Sequence, residues 1–240
     1  MIGRFSDGES QFSASVEGNT IVGNGKSYDI STLSVLPPII PSKIVCIGLN
    51  YRDHAKELHM DIPDEPLLFM KPSSAVIGHG EGIVYPSISQ RVDYEAELAV
   101  VIGEKCRNVH AENAEEFISG YTCFNDVTAR DLQQKDGQWT RAKSFDTFAP
   151  LGPFIAENSD FEPSDVGISC RVNGSIKQDS RTSNIIFDIP FLIEFISSVM
   201  TLEKGDVIAT GTPPGVGPLE KGDKVEVEIE GVGILGNEVL

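Results

Sequence analysis

The stretch Asp93-Tyr94-Glu95-Ala96-Glu97-Leu98-Ala99-Val100-Val101-Ile102-Gly103 decides the fold reading. Its first half alternates polar and apolar residues and its second half is wholly apolar, the pattern of a strand that runs into a buried sheet. Residues two apart in a strand share a face. Glu95 and Glu97 are therefore expected to project together, with Asp93 a third candidate on that side. Two carboxylates this close repel unless a cation or a proton lies between them, and glutamates at the mouth of a buried strand are costly to desolvate without a partner. The competing reading is a solvated strand edge, because Glu226, Glu228 and Glu230 alternate with Val225, Val227 and Ile229 in the same manner.

Outward from this strand the chain reads as mixed α+β, β-rich, with few helices. Ile44 to Ile47, Leu67 to Met70, Val76-Ile77, Ile83 to Tyr85, Tyr121 to Val127 and Asp206 to Thr210 read as strands. Ile168 to Val172, Asn173-Gly174 and Ser175 onward form a hairpin on a type I′ turn signal. Arg52 to Met60, Ala114 to Ser119 and Thr128 to Gln134 carry helical composition. Pro190 to Met200 is the clearest helix, with proline at its start and Asp188 as cap. The strand–helix alternation of a doubly wound sheet is absent. Residues 1–41 read as a small β-rich appendage, broken by Gly18-Asn19 and Asn24-Gly25-Lys26 turn signals and closed by Pro37, Pro38 and Pro41. The main domain spans residues 42–240.

Phe124-Asn125-Asp126-Val127-Thr128 places a further acid, Asp126, at the end of an apolar strand. Acids delivered to strand ends by separate segments build oxygen-only sites for hard cations, and such a set suits Mg²⁺ or Mn²⁺ rather than zinc. His54 and Glu57 are three apart and are neighbours on one face of a helix. A carboxylate that holds an imidazole raises its basicity, so the pair can relay a proton to or from water; a surface helix of mixed charge is the competing reading. Arg130 and Gln133 follow Asp126 at helical spacing. Lys143 lies in a loop where an ammonium can meet a substrate carboxylate or an enolate oxygen. Thr210-Gly211-Thr212-Pro213-Pro214-Gly215-Val216-Gly217 is a loop whose glycines let backbone N–H groups approach an anion, but it lacks the lysine ending of a P-loop.

The totals exclude some classes. With 19 basic and 36 acidic residues among 240, the formal charge of −17 disfavours nucleic acid as a partner. No apolar run approaches the roughly 18 residues of a membrane span, and the N-terminus does not read as a signal peptide, so a cytoplasmic protein is expected. Cys46, Cys106, Cys123 and Cys170 form no CxxC pair and read as core residues in a reducing compartment.

Taken together, Gly48-Leu49-Asn50-Tyr51-Arg52-Asp53-His54, Phe69-Met70-Lys71-Pro72, Asp93 to Gly103, Asn125 to Gln133, Lys143-Ser144-Phe145-Asp146 and Thr210 to Gly217 resemble, in order, the fumarylacetoacetate hydrolase family across residues 43–240. The resemblance implies a mixed β-sandwich roll with few helices, a homodimer, and a small 2-oxo acid as substrate. It implies Glu95, Glu97 and Asp126 as ligands of Mg²⁺ or Mn²⁺. It further implies His54 and Glu57 as a general-base pair on a mobile lid, Lys143 as stabiliser of an enolate, and Arg130, Gln133 and Thr212 as pocket residues. The reaction it implies is C–C hydrolysis of an acylpyruvate- or fumarylpyruvate-type diketo acid. The alternatives are decarboxylation or isomerisation of hydroxyheptadienedioate- or carboxymethyl-hydroxymuconate-type diacids, or oxaloacetate decarboxylation. A non-catalytic acidic metal-binding protein is the reading from another class. The joint presence of His54, Glu57 and Lys143 speaks against it.

Overall fold

The computed structural model describes residues 1–23 and 25–240. A large mixed sheet forms the spine. Its strands run in the order Lys26–Asp29, Thr20–Gly23, Gln11–Glu17, Ile2–Ser6, Ala149–Glu157, Ile118–Asn125, Ala96–Ile102, Val207–Ala209, Lys43–Gly48 and Leu67–Pro72. A second sheet of five strands, Ser175–Arg181, Gly167–Val172, Lys224–Ile229, Gly233–Val239 and Gly82–Ile83, packs on one face of it. A third, small sheet joins Thr128–Ala129, Val92–Tyr94 and Gly217–Leu219.

The main core lies between the two larger sheets. Leu98, Val100, Tyr121 and Cys123 from one meet Cys170, Val225, Val227 and Leu235 from the other, and Leu192, Ile193 and Ile196 of the helix Ile189–Val199 close it. The opposite face of the large sheet buries Ile44, Cys46, Ala99, Val101, Phe124 and Val207 in a second cluster. With both faces covered, Ala96–Ile102 is buried at every position, which is why its sequence is an unbroken apolar run apart from Glu97. Lys224–Ile229 is covered on one face only and alternates, with Val225, Val227 and Ile229 inside.

The helix Ile189–Val199 begins where Asp188 accepts the Phe191 N–H at 3.0 Å, as the Asp-x-Pro start predicts. Asn173 and Gly174 both take positive φ in the expected hairpin turn. Other boundaries move. Arg52–Glu57 is a shorter helix than its composition predicts, the segment Ala111–Phe117 is 3-10, and Thr128–Ala129 is extended before the helix Arg130–Asp136 begins. Ile2 and Gly3 pair with Ile155 and Phe154, so the N-terminal strands continue the large sheet while burying their own cluster of Phe5, Phe12, Val16 and Ile21. The Asn24-Gly25-Lys26 turn signal falls on Asn24, outside the described residues.

Asp206 ties the start of the strand Lys43–Gly48 to its parallel neighbour Val207–Ala209. Its buried carboxylate accepts the Ser42 hydroxyl at 2.6 Å, the Glu203 N–H at 2.8 Å and the Lys43 ammonium. Burial opposes its ionisation, yet these donors hold its carboxyl below the usual range. Asp206→Ala is expected to cost about 3 kcal/mol in chemical denaturation. A native value below the unfolded one gives a contribution that is complete above the ordinary aspartate range, about 3.9. That contribution fades as the pH falls through the depressed native value, so the wild-type advantage should shrink in acid.

Candidate active site

The strand reading of Asp93 to Gly103 needs one correction. The chain breaks at Glu95, passing from the small sheet at Val92–Tyr94 into the large sheet at Ala96–Ile102. The break rotates the side chains, so Asp93 does not join the two glutamates. It pairs instead with Arg91 at 2.9 Å and Arg130 at 2.8 Å. Glu95 is clamped by the end of the neighbouring strand: its N–H donates to Asn125 Oδ1 at 3.0 Å, and its carbonyl accepts the Asp126 N–H at 2.9 Å. That clamp brings Asp126 in. Ligand oxygens of Glu95, Glu97 and Asp126 lie within 4.8 Å of one another, and all three residues are buried.

Cations surround two of the three acids. The buried Lys143 ammonium donates to Glu95 at 2.9 Å and to Asp126 at 2.5 Å. Lys71, also buried, donates to Asp126 and to the Val127 carbonyl. Arg130 reaches Glu95 as well as Asp93, and its guanidinium meets Gln133 Oε1 at 2.6 Å. Burial opposes ionisation of Glu95, but Lys143 and Arg130 hold its carboxyl well below the usual range. Glu97 behaves oppositely: burial and the like charges of Asp126 and Glu95 push its carboxyl well above the usual range. Glu97 accepts the Gly211 N–H at 2.9 Å and forms no ion pair among the described residues. Three buried carboxylates, oxygen donors only, one of them without a counter-ion, fit a hard divalent cation and do not fit zinc.

The helix Arg52–Glu57 carries the second group. His54 Nδ1 lies 2.9 Å from Glu57 Oε2, leaving Nε2 as the other ring nitrogen. Asp53 fixes the helix by accepting the His54 N–H and the Ser180 hydroxyl, the latter at 2.6 Å. The glycine-rich loop joins this pair to the carboxylates. Gly211 N–H meets Glu97, and Gly215 N–H donates to Glu57 at 3.1 Å. Both glycines have positive φ, and a Cβ would fall 2.8 Å from Asn50 Cβ at Gly211 and 2.1 Å from the Lys177 carbonyl at Gly215. The loop can therefore seat this closely only with glycine at these positions.

Sequence reasoning missed Lys71, Gln178 and Asn50. The signal for Lys71 is a lysine in the otherwise apolar strand Leu67–Pro72. Gln178 accepts the Ala96 N–H at 2.9 Å and donates to Thr212 Oγ1 and the Pro213 carbonyl, each at 2.8 Å. Asn50 bonds the Thr210 carbonyl at 2.8 Å and both polar groups of the Phe187 backbone. Nothing local in the sequence marks either residue. His79 accepts the Gly236 N–H at 3.0 Å and His110 lies 3.5 Å from Glu194, in keeping with structural or surface roles.

A fold with these sheets and a buried carboxylate centre beside a histidine–glutamate pair has known counterparts. The family model "Fumarylacetoacetate (FAA) hydrolase C-terminal" matches residues 43–240. The chain belongs to the fumarylacetoacetate hydrolase family, and its β-rich architecture is the one the sequence implied. It superimposes on the 5-carboxymethyl-2-hydroxymuconate delta-isomerase of Mycobacterium smegmatis with a TM-score of 0.93 and 46% identity, covering 100% of this chain and 98% of that one. The fumarylpyruvate hydrolase of Pseudomonas aeruginosa, solved with Mn²⁺ and pyruvate, gives 0.79 and 33% over 85% and 91% of the two chains. The mitochondrial oxaloacetate tautomerase Fahd2a of Rattus norvegicus is 42% identical over 220 residues, 88% of this chain and 70% of its own. No helix among the described residues is long and apolar enough to cross a membrane.

Proposed function

We propose that this protein is a divalent-cation-dependent enzyme that generates and protonates the enolate of a small 2-oxo acid, with C–C hydrolysis of an acylpyruvate- or fumarylpyruvate-type diketo acid as its reaction. The observation that carries the reading is the buried cluster of Glu95, Glu97 and Asp126 with the Lys143 ammonium against it, linked through one loop to His54–Glu57. Glu95, Glu97 and Asp126 would hold Mg²⁺ or Mn²⁺, which supplies Lewis acidity toward the keto oxygen. Lys143 adds positive charge where the enolate oxygen develops. Arg130, Gln133 and Thr212 orient the substrate. Glu57 holds His54 Nδ1, so that Nε2 takes a proton from the attacking water and returns one to the leaving carbon.

A second reading, isomerisation or tautomerisation of a 2-oxo diacid, uses the same groups without the water. The whole-chain likeness to the Mycobacterium smegmatis isomerase, and the likeness to the rat tautomerase over 88% of this chain, favour it. Decarboxylation of such diacids or of oxaloacetate is a third outcome of the same chemistry. The experiment follows the ultraviolet absorbance of acetylpyruvate enol in Mg²⁺ and again in excess EDTA, with pyruvate assayed, beside oxaloacetate and a hydroxymuconate-type diacid. Mg²⁺-dependent loss of absorbance with pyruvate formed supports hydrolysis, and turnover of the diacids alone moves the assignment to the second or third reading. No turnover of any substrate removes the enzyme reading. His54→Ala should lower hydrolysis about a hundredfold while Mn²⁺ affinity stays at the wild-type value.

The homodimer and the cytoplasmic location are parts of the same proposal. The edge strand Leu67–Pro72 exposes Leu67 and Met70, an apolar edge that a second copy would cover. Sedimentation equilibrium at the monomer mass would remove the dimer. All four cysteines are buried and unpaired, which supports a reducing compartment.

A further inference from the structure

Gln178 stands out in its strand. Ser175–Arg181 is an edge of the five-stranded sheet, and Gln178 is its one buried residue. Its amide makes three hydrogen bonds, one with the carboxylate strand and two with the glycine-rich loop. The oxygen accepts the N–H of Ala96, the residue between Glu95 and Glu97. The nitrogen donates to the Thr212 hydroxyl and the Pro213 carbonyl, inside the loop that also meets Glu97 at Gly211 and Glu57 at Gly215.

Two further contacts press the same loop onto the same place. Gly215 lies so close to the backbone of Lys177 and Gln178 that no Cβ fits. Tyr94, one residue before Glu95, donates its hydroxyl to the Gly215 carbonyl at 2.9 Å. Neither the strand Ala96–Ile102 nor the loop contacts the pair's helix by a regular ladder. The N–H groups of Gly211 and Gly215 join the carboxylate cluster to Glu57, beside the Asn50–Thr210 and Asp53–Ser180 bonds that hold the helix, and their position depends on where the loop is pinned.

We infer that Gln178 is a positioning residue that fixes the distance between the carboxylate cluster and the Thr212 loop, and through that loop the setting of the His54–Glu57 pair. A buried primary amide suits the task, because it offers an acceptor to one segment and two donors to the other. Leucine fills a similar volume and offers neither, leaving the Ala96 N–H and the Pro213 carbonyl buried without partners. The inference rests on the proposed cation-dependent activity for its affinity and turnover arms, and its exchange arm is independent of that reading.

The test compares wild type with Gln178→Leu and Thr212→Val by hydrogen-exchange mass spectrometry, Mn²⁺ titration followed by electron paramagnetic resonance, and steady-state kinetics. For Gln178→Leu, faster exchange is expected in both residues 93–98 and residues 210–217. Mn²⁺ affinity should fall about tenfold, the scale on which groups that orient ligands act, and kcat should fall more than KM rises. Thr212→Val covers the case in which Gln178→Leu does not fold. It removes one hydroxyl that is not among the cation ligands, so faster exchange at residues 93–98 would report coupling through Gln178. A lower Tm with unchanged Mn²⁺ affinity and unchanged exchange in either segment would overturn the inference. If wild type binds Mn²⁺ but turns over no substrate, the reaction reading fails and the inference is still decided by affinity and exchange. If wild type binds no Mn²⁺, exchange alone decides it: acceleration in both segments supports the inference, and acceleration in one or neither overturns it.

Discussion

Glu97→Gln is expected to weaken Mn²⁺ binding more than about a hundredfold, beyond the effect of losing a group that merely orients a ligand, and to remove cation-dependent turnover with it. The same substitution should leave the protein as stable as wild type in EDTA, or more so. Glu97 is the acid of the cluster that has no cationic partner among the described residues; it accepts the Gly211 N–H, which a glutamine oxygen can equally meet. Glu95 and Asp126 crowd it with like charge, and burial withholds water. Glutamine has no ionised form for burial and these neighbours to disfavour, and each kcal/mol so gained raises the Tm by about 3 °C in a domain of this size.

Glu95→Gln should do the reverse to stability, because it strips Lys143 and Arg130 of a shared partner. Thermal melts of both variants in EDTA, beside Mn²⁺ titrations, read the two effects separately. Equal destabilisation by the two substitutions would show that Glu97 is an ordinary buried structural acid and would remove it from the cation site.

This split between the glutamates was not visible in the sequence. The E-x-E spacing and the apolar run behind it located the pair, because a strand period is a local property. The same period misassigned Asp93, since a break at Glu95 hands the chain from one sheet to another, and no local pattern announces which sheet comes next. The helix Ile189–Val199 and the Asn173-Gly174 turn were legible for the same reason that Glu97 was: cap, proline and left-handed turn residues act within a few positions. Lys71 and Gln178 were not. Each earns its environment from segments far along the chain, Lys71 from Asp126 and Gln178 from Ala96 and Thr212. A lysine in a short strand and a glutamine in an exposed one carry no mark of what will be laid across them. The glycine loop lies between these cases: its composition showed that backbone would approach something closely, while the partners, Glu97 and Glu57, emerged only with the fold.

Lys143→Met should uncouple cation binding from turnover. The ammonium touches Glu95 and Asp126 in a setting closed to water, and it stays protonated, since burial disfavours its charge less than the two acids favour it. Methionine keeps much of the volume and removes the charge, so the remaining acids repel one another with one compensating cation fewer. Breaking a buried pair in this way costs about 3–5 kcal/mol, which corresponds to a Tm lower by about 10 °C in EDTA. A divalent cation bound by the folded state restores stability by mass action. Because the site has become more negative, Mn²⁺ should bind the variant at least as tightly as wild type and raise its Tm by more. Turnover should still fall by about two to three orders of magnitude, the scale for losing one preorganised charge at a developing oxyanion. Tight Mn²⁺ binding with lost turnover assigns Lys143 to the reaction, whereas Mn²⁺ affinity falling in step with turnover would make the lysine a support for the cation site and leave the enolate charge to other groups.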